Sequence, residues 1–147
     1  MPLSRTIYFS ENKIGPVGRD AQMAELQKVA VIRNRRHHVT GALAYDNRWF
    51  AQALEGETRF VLEAFDRILR DTRHANVKVT SSGLVSERLF GKWSMGFAAR
   101  NFETELLFGL HWFDANGNPE IMSEENIVRL MLKLGQQGFM GPAQTVI

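Results

Sequence analysis

The 147-residue chain is 44% hydrophobic and 23% charged, enough for one globular domain with a real core and too short for a second. Lys+Arg 18 against Asp+Glu 16 leaves a formal charge of +2, which is too balanced for a dedicated nucleic-acid or membrane-surface binder despite a pI near 9.2. The absence of cysteine excludes a disulfide framework, a thiolate zinc site and a cysteine nucleophile, and fits a reducing compartment. Met-Pro-Leu-Ser-Arg at the start is no apolar signal segment, and no stretch approaches the ~20 apolar residues of a spanning helix, so the expectation is a soluble cytoplasmic protein.

Arg5 to Ser10 is rich in β-branched and aromatic residues and runs into Gly15, Pro16 and Gly18, which predicts a strand followed by a loop. From Asp20, read as the cap, to about Asn34, the positions Met23, Leu26, Val29 and Ala30 recur at helical spacing. Val39 to Tyr45 and Arg48 to Glu55 read as two strands joined by a hairpin turn at Asp46-Asn47. Thr58 to Asp71 returns to helical spacing through Val61, Ala64, Phe65, Ile68 and Leu69. Val77 to Val85 and Lys92 to Ala98 read as further strands. The resulting order βαββαββ predicts an α/β (α+β) ferredoxin-like sandwich with a mixed five-stranded sheet over residues 1–101.

Residues 102–147 form a C-terminal helical extension. Phe102 to Phe113 is apolar without a clean period, and Asp114-Ala-Asn-Gly-Asn-Pro119 is a dense turn cluster. Ser123-Glu124-Glu125 then starts a helix whose stripe Ile127, Leu130, Met131 and Leu134 must be covered, with Gly135 as its stop. The sheet face carrying Trp93, Met95 and Phe97 is the expected seat for that stripe, in the same subunit or in a homo-oligomer.

Several polar residues stand where core is expected. Side chains alternate across a strand, so Gln52 shares a face with Phe50 and Leu54, and its amide needs about four hydrogen-bonding sites filled. Asn34 continues the stripe of Leu26 and Ala30, Asp71 continues that of Val61, Ala64 and Ile68, and Arg67 lies one turn earlier. Tyr8 shares a strand face with Thr6 and Ser10 and is placed to reach an amide on a neighbouring strand. Each has an ordinary structural explanation alone. Together they describe a socket for a planar heterocycle, with Leu26 and Ile68 at its faces and Asn34, Arg67 and Asp71 at its rim.

Ile7-Tyr8-Phe9-Ser10, Asn34 before Val39-Thr40-Gly41-Ala42-Leu43, Phe50-Ala51-Gln52-Ala53-Leu54-Glu55-Gly56, Asp71-Thr72-Arg73-His74, and Glu87-Arg88-Leu89-Phe90 leading to Trp93-Ser94-Met95 follow one another in order. In these pieces, over roughly residues 3 to 100, the chain resembles the BLUF photoreceptors, flavin-binding sensors of blue light. The resemblance implies FAD bound non-covalently, with Tyr8, Leu26, Asn34, Gln52, Arg67, Ile68, Asp71 and His74 as binding residues. It implies that Tyr8 is the photochemical electron and proton donor and that Gln52 bridges its hydroxyl to the flavin. Light then rearranges Gln52 and shifts the absorption reversibly to the red. Ser10, Trp93 and Met95 are the implied relay, and which of Trp93 and Met95 packs beside the flavin stays open. The residue before Asn34, often Asn or His in the family, is Arg33 here, within the basic run Arg33 to His38; a phosphate clamp and a helix end suited to cations are both readings of that run.

No effector or enzymatic domain is recognisable after Phe102, so the implied output is to an unidentified signalling partner or another copy of the chain. Two rivals share the predicted architecture. An RNA-binding module would use sheet aromatics and a basic surface, but these strands lack the aromatic-glycine signature such modules carry, and an acyl-phosphate hydrolase needs a glycine-rich anion loop before a helix that is absent here. Fold alone does not choose between them.

Overall fold

The computed structural model describes residues 2–112 and 122–146. Strands β1 (Leu3–Asn12), β2 (Thr40–Tyr45), β3 (Trp49–Glu57), β4 (His74–Leu84) and β5 (Gly96–Ala99) form one sheet in the order β4-β1-β3-β2-β5. All neighbours are antiparallel except β2 and β5, which run parallel, so the sheet is mixed and the ferredoxin-like expectation holds. Helices α1 (Arg19–His37) and α2 (Thr58–Leu69) lie on one face, and α3 (Glu105–His111) and α4 (Glu124–Gln136) on the other.

Period-two alternation decides what each face meets. Leu43, Tyr45, Phe50, Leu54, Phe97 and Ala99 point to α1 and α2, where Met23, Val61 and Ala64 complete a core. Their neighbours Ala42, Ala44, Ala51, Ala53 and Ala98 point the other way and are small. That leaves room for Phe108, Ile127, Leu130, Met131 and Leu134 to pack close to the backbone, fully buried. Among the described residues α1 buries only Met23 and Asn34, although it is the longest helix; Leu26, Val29 and Ala30 open onto a cleft instead.

Several boundaries differ from the sequence expectation. Asp20 lies in the first turn of α1 rather than at its cap, which is Gly18 in the left-handed region with φ 71°. The helix runs past Asn34 to His37, with Arg35, Arg36 and His37 in the last turn, where cations suit the carbonyl end. Asp46 closes the hairpin around Asn47-Arg48: its Oδ1 accepts from Arg48 N at 2.8 Å and Trp49 N at 2.7 Å, an Asx turn that replaces the missing glycine. Gly135 lies inside α4 rather than stopping it. A Cβ there would come within 2.5 Å of the Trp93 indole, so the glycine is a packing requirement, and the left-handed residue that follows the helix is Gly138. Ser123 caps α4 as expected, its Oγ accepting from Asn126 N at 3.1 Å. The Asp114 to Pro119 turn cluster lies outside the described residues.

The expected last strand begins only at Gly96, so Trp93 and Met95 do not share a strand face. The bend at Trp93 to Met95 sends the Trp93 ring to the α4 side and Met95 to the α1 side with Phe97. The stripe of α4 therefore seats on the alanine-rich face beside Trp93, not on a surface made by Met95 and Phe97.

Candidate functional site

A cleft with about 870 Å³ of empty space, counting its open mouth, lies between α1 and α2 over β1, β2 and β3. Its walls are Leu26, Val29 and Ala30 from α1, Ala64 and Ile68 from α2, and Leu43, Phe50 and Leu54 from the sheet. Tyr8 and Gln52 form its polar floor, and Arg33, Asn34, Arg67, Asp71, Arg73 and His74 complete the lining. The expected binding residues Tyr8, Leu26, Asn34, Gln52, Arg67, Ile68, Asp71 and His74 thus all face one space, whose apolar walls suit a small-molecule ligand.

On the floor, Tyr8 and Gln52 are direct cross-strand partners in the β1–β3 register, which brings their side chains together. The Tyr8 hydroxyl donates to Gln52 Oε1. Gln52 Nε2 turns the other way, toward Met95 Sδ at 3.5 Å, a weak acceptor. In this structure Met95 lines the cleft beside Gln52, and Trp93 packs against α4.

The walls are pinned by a second set of bonds. His74 Nε2 lies 2.6 Å from Ile68 O, and its Nδ1 lies 2.7 Å from Ser10 Oγ. A carbonyl only accepts, so Nε2 carries the proton; in the neutral ring Nδ1 then accepts from the Ser10 hydroxyl. Ser10 and His74 therefore tie the end of α2 to the sheet. Asn34 Nδ2 donates to Ser94 O at 2.6 Å and anchors the chain one residue before Met95.

At the rim Asp71 takes Arg73, with Nε to Oδ1 at 2.9 Å and Nη2 to Oδ2 at 2.5 Å. Hydrogen bonding from Arg73 is the main reason the Asp71 carboxyl is held below its usual range. The side chains of Arg33 and Arg67 make no hydrogen bond or ion pair among the described residues, so two guanidinium groups line the cleft unmatched. Arg73 was missed in the sequence, although its position two residues after Asp71, in a turn rather than a helix, was a usable signal. Glu55 was also missed as a structural centre. It is fully buried and accepts from Arg5 Nε at 2.7 Å, Leu89 N at 2.8 Å and Phe90 N at 2.7 Å, which fixes the loop leading to Trp93.

Burial, aided by the nearby Asp71 charge, pushes the Tyr8 phenol far above its ordinary 10.0, and burial pushes Tyr45, the chain's other tyrosine, up to about 12. Above pH 10 the unfolded chain loses tyrosine protons that the folded chain keeps. This contribution to stability is therefore complete below pH 10 and is lost as pH rises through the folded values. Near-ultraviolet phenolate absorbance should stay absent at pH 10 in the folded protein and appear on denaturation. Half-ionised tyrosine in the folded state at that pH would contradict the burial argument.

Comparison with known proteins places this geometry. The family model for BLUF, sensors of blue-light using FAD, matches residues 3–96, and the chain belongs to that family. It is 33% identical over 93 residues to photoactivated adenylate cyclase subunit beta of Euglena gracilis, a match covering 63% of this chain and 11% of that protein. The corresponding subunit of Euglena longa is 32% identical over the same length and again shares only 11% of its own chain. Among solved structures, BlsA in its ground state superposes with a TM-score of 0.79 at 26% identity, covering 98% of this chain and 94% of the other. BlrB, a BLUF protein in its dark state, gives 0.67 at 26% identity, covering 90% and 96%. The chain is accordingly a member of a family of flavin-based blue-light sensors. RNA binding on an open sheet is not favoured, since helices cover both sheet faces.

Proposed function

We propose that this chain is a blue-light sensor that holds FAD in the α1–α2 cleft and signals by rearranging Gln52. The observation that carries the reading is the chain of contacts on the cleft floor, Tyr8 hydroxyl to Gln52 Oε1 and Gln52 Nε2 to Met95 Sδ. The residues fit such a ligand: apolar walls from Leu26 and Ile68 suit the flat faces of an isoalloxazine, and an amide, a carboxylate and guanidinium groups suit its polar edge. Asn34, Arg67 and Asp71 hold that edge, while His74 keeps Ile68 in place. FAD is the reading preferred over FMN because the family description names it and because the unmatched Arg33 on the lining suits a diphosphate.

Bound flavin supplies visible absorption and an excited state that accepts an electron. Tyr8 supplies the electron and holds a proton at its hydroxyl, which burial keeps neutral in the dark. Gln52 is the switch, since rotation about its last bond exchanges an acceptor for a donor toward Tyr8 and a donor for an acceptor toward Met95. Met95 and the segment to Trp93 carry the change outward, with Ser10 supporting the network through His74. The output goes to a signalling partner or a second copy of the chain. Residues 1–101 form the flavin-binding unit, with 102–147 as its helical extension.

The purified protein should be yellow, release FAD on denaturation and show a reversible red shift under blue light. Asn34→Ala and Asp71→Ala should each weaken flavin retention by roughly 1–3 kcal/mol, the cost of leaving a buried partner unpaired. Unchanged affinity in both variants, measured by flavin fluorescence titration, would remove the rim from the binding site.

A further inference from the structure

After α4 the chain turns at Gly138 and passes round the edge of β5, from the α4 face, where Met140 packs, to the α1 face, where Ala143 and Val146 pack. It behaves there as a partial sixth strand. Phe97 and Gly141 exchange two backbone hydrogen bonds, at 2.8 and 3.0 Å. The Gln144 side chain then substitutes for a peptide group: its Oε1 accepts from Ala99 N at 3.1 Å and its Nε2 donates to Phe97 O at 3.0 Å. Gln144 N donates to Tyr45 Oη at 2.8 Å, and the Tyr45 hydroxyl donates to Gln144 O at 2.7 Å.

One side chain joins this strap to the cleft floor. Gln27 of α1 donates through Nε2 to Met95 O at 3.0 Å and to Gly141 O at 2.8 Å, and its Oε1 accepts from Ala143 N at 2.6 Å. Met95 is the residue whose Sδ receives Gln52 Nε2. Gln27 does not line the cleft itself.

We propose that residues 139–146 are a light-released strap, held across the β5 edge by Gln27 and let go when Gln52 changes its contact with Met95. This rests on the switch reading given above. Rotation of the Gln52 amide replaces a donor by an oxygen opposite Met95 Sδ, so a weak attraction becomes lone-pair repulsion and Met95 must move. Its carbonyl shares the Gln27 amide with Gly141, so displacement of Met95 disturbs the strap's central bond directly. The strap is also the element best suited to release. Its contacts are mostly hydrogen bonds of partly exposed residues, whereas α4 buries four large apolar side chains completely. Release uncovers Ala99 N–H and Phe97 C=O, an edge able to pair with an extended segment of another chain.

Hydrogen exchange of the flavin-loaded full chain, followed by mass spectrometry in the dark and under blue light with absorption recorded alongside, tests this. The amides of Gly141, Ala143 and Gln144 should exchange about tenfold faster in the light, while those within α4 stay unchanged. Gln27→Glu keeps the acceptor for Ala143 N but removes both donations, so its tail should exchange at the lit rate already in the dark while the red shift remains. A normal red shift with unchanged tail exchange overturns the strap alone. Absence of any red shift overturns the switch reading and the strap's light control with it. Dark tail protection in Gln27→Glu equal to the parent overturns the role of Gln27.

Discussion

Replacing Tyr8 by phenylalanine is expected to leave the fold and bound flavin intact and to abolish the light-induced red shift. The substitution keeps the ring that packs 5.5 Å from Phe65 and deletes only the hydroxyl that donates to Gln52. Gln52 then loses the partner of its oxygen and has no neighbour from which to take a proton, so neither arrangement of the amide is selected. Gln52→Leu should give the same loss from the other side, because a side chain of similar size without an amide has nothing to exchange. Difference absorption spectroscopy before and after a blue-light pulse reads both variants. A reversible red shift with parental recovery in either one would show that the Tyr8–Gln52 contact is packing rather than a switch.

The largest stability effect is expected at Glu55, on the opposite face of β3 from Gln52. Its carboxylate has no exposed surface and gathers Arg5, itself largely buried, with two backbone N–H groups of the 89–90 loop. Removing one partner of a buried ion pair costs about 3–5 kcal/mol, because the remaining charge and donors lose their acceptor without regaining water. Against total stabilities of roughly 5–15 kcal/mol for domains, Glu55→Ala should move the denaturant midpoint far toward zero. Glu55→Gln, which keeps one acceptor oxygen and the volume, should cost less. A midpoint for Glu55→Ala close to the parent would mean that water replaces the carboxylate in the 89–90 loop.

Much of the candidate site was legible because its residues break local rules. An amide between Phe50 and Leu54, and an asparagine and an aspartate continuing apolar helix stripes, each conflict with a core position, and a cleft resolves all three. The pairing partners were not legible to the same degree. That Asp71 takes Arg73 depends on where α2 ends, and helix ends shift by a residue or two through contacts that periodicity does not encode. Glu55 read as an ordinary end of a strand, since nothing near it in sequence announces that Leu89 and Phe90 return to it.

From the sequence alone followed the element order, the mixed sheet, the ferredoxin-like class and the convergence of Tyr8, Asn34 and Gln52. Those features rest on periodicity and on short-range spacing, which a single chain displays directly. Only the tertiary structure decided that Met95 faces the cleft while Trp93 faces α4, that alanines make the seat of α4, and that the tail returns across β5. Each of these depends on where distant segments meet, and a bend of a few residues before Gly96 is enough to send two neighbouring side chains to opposite faces of the sheet.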